Sequence, residues 1–232
     1  MISIIIPTYN ESKNIPELVL RIKKSLSCSY ELIIVDDGSP DGTGLLAHKL
    51  GDEHPIKVIQ RGKKLGLSSA VMEGFKLANG ELWCVMDADL SHPPETIALL
   101  LKELESQNAD IVIGSRFAKG GAIENWPKKR LIATNIAMLS VRALTSIKDP
   151  MSGFFLLRKE VVQNVPLIPR GFKILLEILV KGRYKKALEI PIIFKDRIYG
   201  NSKVSSKVYM EFAIQLWDLY LYKMKKYFKP CS

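Results

Sequence analysis

Five short runs of β-branched and apolar residues mark the first half of the chain: ISIII (2–6), ELIIV (31–35), IKVI (56–59), LWCVM (82–86) and DIVIG (110–114). They are continuous rather than alternating, the pattern of strands covered on both faces. Between the early ones, apolar residues recur at helical spacing. NIPELVLRIKKSL opens with Asn14 three residues before Glu17, a variant of the capping box, and carries Pro16 in its first turn. LGLSSAVMEGFKLANG runs to Gly80, which the pattern makes a C-cap. HPPETIALLLKELESQ starts on prolines and continues as an apolar stripe. Strand–helix alternation of this kind predicts an α/β fold, a mostly parallel sheet flanked by helices. Such sheets bind ligands at the carboxyl ends of their strands.

The polar clusters fall where that rule places a site. PTYNE follows the first strand, DDGSPDGT the second, DADLSHPP the fourth and SRFAKGG the fifth. No G-x-G-x-x-G follows the first strand and no G-x-x-x-x-G-K-[ST] occurs, so the dinucleotide and P-loop readings lack their phosphate-cradling loop.

Asp87 and Asp89 close the apolar run LWCVM. Residues i and i+2 of a strand point the same way, and two carboxylates so placed repel unless a cation lies between them. Mg²⁺ and Mn²⁺ prefer oxygen ligands, and Mg²⁺ sites commonly combine one or two carboxylates with substrate phosphates. A metal shared with a diphosphate therefore suits this pair. Asp36 and Asp37 repeat the arrangement, where a carboxylate can accept from a ribose hydroxyl or a base edge, although Asp, Gly, Ser and Pro also simply form turns. Tyr9 and Glu11 offer a stacking face and an acceptor. His48, His54 and His92 are too scattered for a metal site, and His92, before two prolines, reads as turn structure.

The 232 residues make one large domain, or one domain with an appendage. With 47% hydrophobic and 25% charged residues, the chain can bury a core. Cys28, Cys84 and Cys231 are isolated and odd in number, which fits a reducing compartment better than a disulfide framework or zinc. MISIIIPTYN lacks a basic leader region, and no window reaches the roughly 18 apolar residues of a membrane span. Charge is uneven: from Arg170 to Ser232 there are fourteen Lys or Arg against five Asp or Glu. That bias suits an anionic partner, or a merely soluble basic face. Acidic pairs at strand ends argue against nucleic acid, whose phosphates they repel.

Taken in order, SIIIPTYNE, IIVDDGSPDGT, GLSSAVMEGF, MDADLSHPP, IGSRF and SGFFLLRKE resemble the family-2, GT-A fold glycosyltransferases. More narrowly they resemble the polyprenyl-phosphate (dolichol-phosphate) mannosyltransferases, from about residue 2 to 204. The resemblance implies a GT-A (Rossmann-like) catalytic domain over 1–204. Pro7, Tyr9, Glu11, Val35 and Asp37 would line a guanosine pocket. Asp87, Ala88 and Asp89 would meet the sugar nucleotide, with Asp87, Asp89 and Ser91 as the set around Mg²⁺ or Mn²⁺ and Asp89 binding the metal directly. Arg116, Lys173, Arg197 and Lys203 would surround the phosphates; Arg116, Arg130 and Thr134 would hold the acceptor phosphate. Asp89, Arg116 and Arg130 would carry the catalysis. The implied reaction transfers mannose from GDP-mannose to a polyprenyl (dolichyl) phosphate with inversion; the same fold using UDP-glucose or another nucleotide sugar is the alternative. The Q-x-x-R-W signature of processive enzymes is absent. Two positions depart from the family: Ser91 stands where glutamine is usual, and Thr134-Asn135 where Ser-Arg is usual. A phosphate acceptor is already ionised near neutral pH, so no general base is expected.

The tail is expected to be an amphipathic, membrane-interfacial helix over 205–232. Lys207, Glu211, Gln215, Asp218 and Lys225 form one polar stripe, with apolar residues and Trp217, Tyr220 and Tyr222 elsewhere. A helix packed on the sheet or in a dimer is the alternative. The expectation is a peripheral protein at the cytoplasmic face of a membrane, alone or with a membrane-anchoring partner.

Overall fold

The structure, a computed structural model, describes residues 1–124, 126–168, 170–195 and 206–227. In chain order its elements are β1 (Ile2–Thr8), α1 (Ile15–Ser25), β2 (Tyr30–Asp36), α2 (Thr43–Leu50), β3 (Ile56–Gln60), α3 (Leu67–Leu77), β4 (Leu82–Val85), α4 (Thr96–Ser106) and β5 (Ile111–Ser115). There follow β6 (Ala122–Ile123), α5 (Lys128–Val141), β7 (Phe155–Arg158), α6 (Ile174–Lys181), β8 (Ala187–Pro191), β9 (Ile193–Phe194) and α7 (Ser206–Tyr227).

Seven strands form one sheet in the order β3-β2-β1-β4-β7-β5-β8. All pairings are parallel except those of β7, which runs antiparallel to β4 and to β5. The order reverses at β1 and β4, so the loops leaving these two strands diverge and open a crevice at their carboxyl ends. The five predicted strands are present. β7 lies within SGFFLLRKE, and its antiparallel course lets the loop before it return to the same rim as the β4 loop.

Both faces of the sheet are buried, as the continuous apolar runs require. Ile2, Ile4 and Ile6 of β1 pack with Ile15, Leu18 and Ile22 of α1 and Ile97, Leu100 and Leu104 of α4. Ile5 points the other way, into a core with Val71 and Phe75 of α3 and Ile174 and Ile178 of α6. A third cluster joins Val141 of α5, Leu176 of α6 and Leu219 of α7.

Two local expectations need correction. Asn14 makes no side-chain cap on α1; its amide donates to the Glu11 carboxylate at 2.7 Å instead, tying the helix start to the preceding loop. Gly80 is not the C-cap of α3; Ala78 is. A side chain at position 80 would meet the Met1 carbonyl oxygen and the Ser3 amide at 2.8 Å, so close backbone approach explains the glycine.

The tail helix is present over Ser206–Tyr227, and the middle of its polar stripe, Gln215 and Asp218, faces the protein. Gln215 is buried and donates to the Lys173 carbonyl at 3.2 Å, and Arg170 donates to Asp218 at 2.6 Å. Tyr220 anchors the helix to α5 through the Ser140 carbonyl at 2.6 Å. Tyr209, Met210, Ile214, Trp217 and Met224 are exposed on the other side. No helix among the described residues is long and apolar enough to cross a membrane.

Candidate active site

The loops after β1 and β2 are laced together. Asn10, Glu11 and Ser12 donate their amides in turn to the Ser39 hydroxyl (2.9 Å), the Thr43 hydroxyl (2.9 Å) and the Asp41 carboxylate (3.1 Å). Against the upward push of burial, hydrogen bonds from Thr43 and Ser12 hold the Asp41 carboxyl below its ordinary range. Asp36 accepts from Thr8 at 3.2 Å and from the Ser39 hydroxyl. This lacing fixes Tyr9 and Glu11, both half-buried, at the rim above β1. The Lys64 ammonium lies 4.1 Å from the centre of the Tyr9 ring.

Asp37 occupies the wall of this region with its carboxylate already engaged. It accepts from the Leu65 and Gly66 amides at 2.8 Å each and pairs with buried Arg61 at 3.3 Å. Its direct work is to shape the 63–66 turn. Val35 and Ala88 are buried in the two cores, so what they can present to a ligand is backbone. Pro7 lies in β1, paired in register with Val35.

The acidic pair follows β4. Asp89 is buried, and its Oδ1 accepts from the Ser91 amide at 3.1 Å and the Ser91 hydroxyl at 2.5 Å. Leu90 between them has φ +60°, a left-handed conformation that an apolar side chain adopts only at a cost, and which turns the chain back sharply here. Asp87 is more open, its side chain 28% exposed. A Cβ on Gly153 would lie 2.7 Å from Asp87 Oδ2, so the S-G-F-F turn before β7 needs a glycine to admit this carboxylate.

His92 sits in the predicted turn, but its ring is buried. It packs between Phe154 and Phe194, with ring centres 5.4 and 5.1 Å away. Its Nδ1 has no hydrogen-bond partner among the described residues and lies 3.8 Å from Asp87 Oδ2. Burial, opposed by the Asp89 charge and aided by Arg116, pushes His92 down to about 4, so the imidazole is neutral at physiological pH.

The cations arrive from three elements. Arg116, after β5, is gripped by fully buried Asp149 through its main-chain amide, Nε and Nη2. Asp149 and Lys148 in turn donate their amides to Glu189 of β8 at 2.9 Å. Lys173, at the start of α6, donates to the Met151 carbonyl at 3.1 Å. Burial and then the Arg116 charge push its ammonium down to about 7, while Asp149 and Asp87 pull the other way. Arg130, in the first turn of α5, lies 3.8 Å over the Trp126 ring, and Thr134 follows one turn later on the same helix face. Arg197 and Lys203 lie outside the described residues.

Around the acidic pair the structure thus gathers Ser91, Arg116 and Lys173, linked through aromatic rings to Arg130. Sequence reasoning missed Asp149, Trp126 and the buried role of His92. Asp149 had one signal: an arginine at the end of a buried strand needs a partner carboxylate. No cluster of three or more His, Cys, Asp or Glu that would cage a metal occurs among the described residues. Two hard carboxylates with an unpartnered buried imidazole nitrogen beside them do fit a divalent cation that completes its shell with substrate phosphate oxygens.

Solved structures share this architecture. A glucosyl-3-phosphoglycerate synthase from Mycobacterium tuberculosis, crystallised with Mn²⁺, UDP and glucosyl-3-phosphoglycerate, matches with TM-score 0.68 at 18% identity, covering 96% of this chain and 79% of that one. A mannosyltransferase from Pyrobaculum calidifontis in complex with GDP-Man and Mn²⁺ matches with TM-score 0.64 at 18% identity, covering 97% and 64%. The sheet and its rim define a GT-A glycosyltransferase fold. Residues 3–165 match the family glycosyl transferase family 2, and the chain belongs to it. It is 48% identical over 223 residues to the dolichol-phosphate mannosyltransferase of Pyrococcus furiosus, covering 94% of this chain and 63% of that protein. The enzyme of the same name from Saccharomyces cerevisiae is 39% identical over 238 residues, covering 95% and 87%. The chain therefore spans less than two thirds of the archaeal relative.

Proposed function

We propose that the protein transfers mannose from GDP-mannose to a polyprenyl (dolichyl) phosphate, inverting the anomeric configuration. The observation that supports this most is the pairing of an acidic dyad, Asp87 and Asp89, with two differently held guanidiniums. Arg116 is locked by Asp149 beside the dyad, whereas Arg130 approaches from a separate helix over Trp126. Such a layout suits two phosphate groups in one cleft, the donor diphosphate and a phosphate acceptor. The names of the curated relatives agree with mannose as the sugar and dolichol phosphate as the acceptor.

In this reading Tyr9, Glu11 and the backbone near Val35 receive the nucleoside, and Asp37 holds the turn that walls it. Arg116, Lys173, Arg197 and Lys203 neutralise the diphosphate. Arg130 and Thr134 align a phosphate oxygen behind the anomeric carbon, and alignment of this kind contributes up to ~7–11 kcal/mol in favourable cases. Asp87 and Asp89, with Ser91 supporting Asp89, would hold Mg²⁺ or Mn²⁺; the metal when bound supplies neutralisation of the leaving diphosphate. The acceptor is ionised near neutral pH, so no side chain needs to remove a proton. Neutral His92 is free for a structural part.

The protein works at a membrane surface in this proposal, on its cytoplasmic side, where its acceptor resides. Ile132, Ile136 and Leu139 of α5 are each more than half exposed at helical spacing, and α7 turns its apolar side outward. Rows of this kind on helices suit the headgroup boundary.

The test incubates purified protein with radiolabelled GDP-mannose, a polyprenyl phosphate and Mn²⁺ or Mg²⁺, and counts label in the organic phase. EDTA and Asp89→Ala are the controls and should abolish transfer. Productive use of UDP-glucose alone would overturn the mannose assignment while leaving the family intact.

A further inference from the structure

We infer that Trp126 is a positioning residue of the acceptor side: its indole face sets the Arg130 guanidinium in place to meet the acceptor phosphate. This rests on the acceptor reading of Arg130 given above. Arg130 Cζ lies 3.8 Å from the centre of the Trp126 ring, close enough for the planar guanidinium to rest on the π face. Arg116 Cζ lies 5.5 Å from the same ring. Both guanidiniums thus lie within cation–π reach of the same indole.

The two arginines are held by different means. Arg116 has a buried carboxylate partner in Asp149. Arg130, in the first turn of α5, rests on the indole face. A π face orients a guanidinium without cancelling its charge.

The ring is itself braced. Trp126 meets Phe194 edge-on, with centres 5.5 Å apart and planes at 80°. Phe194 meets His92 edge-on at 5.1 Å, and His92 packs on Phe154. The Lys195 amide donates to the Ser91 carbonyl at 3.2 Å, fastening the end of β9 to the turn that carries Asp89. A column of four rings thus runs from the acidic dyad to Arg130 and fixes the spacing between the donor and acceptor sides. The Trp126 Nε1–H is buried without an acceptor among the described residues. Beside two guanidiniums, that donor suits a phosphate oxygen, which gives a reason for tryptophan over phenylalanine.

The experiment compares the wild-type protein with Trp126→Leu, Trp126→Phe and Arg130→Ala. KM for a polyprenyl phosphate, KM for GDP-mannose and kcat are measured for each, and binding of a water-soluble short-chain prenyl monophosphate is followed by calorimetry. Trp126→Leu should raise acceptor KM about 3- to 30-fold, the range a cation–π contact of this kind supports, with donor KM unchanged. Trp126→Phe keeps the ring and should recover part of the loss. Trp126→Leu combined with Arg130→Ala should be no worse than Arg130→Ala alone. An unchanged acceptor KM in Trp126→Leu, or equal losses in donor and acceptor KM, would overturn the inference. If wild type transfers no mannose yet binds the prenyl phosphate more tightly than Trp126→Leu, the positioning role stands and the mannosyltransfer reading falls.

Discussion

Arg116 donates three hydrogen bonds to Asp149, from its main-chain amide at 2.9 Å, Nε at 2.8 Å and Nη2 at 2.7 Å, and the aspartate is wholly buried. A fork-to-fork pair in low dielectric fixes the guanidinium plane, and with it the direction in which the remaining N–H groups can meet a phosphate. The fork also joins two distant stretches of sequence, the end of β5 and the loop before β7.

Removing one member of this pair leaves a buried charge without its partner, a loss of about 3–5 kcal/mol for pairs of this type. Asp149→Asn should therefore lower the urea midpoint sharply and abolish transfer. Arg116→Met with Asp149→Leu removes both charges and should recover most of the stability without any activity. Urea denaturation followed by circular dichroism checks both. Equal stability of Asp149→Asn and wild type would show that the pair is not structural.

Gly153 makes a sharper test, because the obstruction is a single methyl group. Its Cβ would lie 2.7 Å from Asp87 Oδ2, so Gly153→Ala should push the carboxylate aside. Small misplacements at a reacting site cost on the order of 100-fold in rate, so transfer should fall by about 10- to 100-fold. The melting temperature should change little, because the site lies at the rim. Activity assay and thermal melt on the same sample decide the matter.

These two residues show where sequence reasoning stops. The strands were legible because both faces of the sheet are covered, so ISIII and ELIIV read as apolar throughout. Asp87 and Asp89 were legible because like charges one residue apart on a strand are electrostatically unfavourable without a ligand. The antiparallel β7 is four residues long and carries no period of its own to distinguish it. Asp149 looked like any loop aspartate, since its partner lies 33 positions away. The stripe on α7 was found, but its direction was not. A polar row can face water or, as with Gln215 and Asp218, face other polar groups of the protein.

Lys173 gives a pH signature. Its folded value of about 7 lies below that of an unfolded lysine, roughly 10.4. Between those values the unfolded chain keeps a proton that the folded chain has released, so stability from this group rises with pH across that window. Below about 7 both states are charged and the contribution is flat. Lys173→Met should flatten the rise in urea midpoint between pH 7 and roughly 10, relative to wild type. Donor affinity should move the opposite way, since the empty site loses a cation as pH passes 7. A donor KM that stays level from pH 6.5 to 8.5 would exclude Lys173 from the diphosphate.

The proposed membrane attachment uses the side of α7 opposite Gln215 and Asp218. With Gln215 and Asp218 bonded to the protein, the outward side carries Ile214, Trp217, Leu221 and Met224, and α5 adds Ile136 and Leu139. Exposed Lys225 and Lys226 lie at the end of the same helix. An apolar row beside basic residues partitions into anionic interfaces through both area and charge, so binding should weaken with salt without vanishing. Ile136→Ser, Leu139→Ser and Trp217→Ser together should reduce co-sedimentation with vesicles containing phosphatidylserine by at least about tenfold, as loss of a few kcal/mol of apolar transfer predicts. Their effect on transfer to a detergent-dispersed acceptor should be small. If the triple variant binds vesicles as wild type does, the two helices face another protein instead of a bilayer.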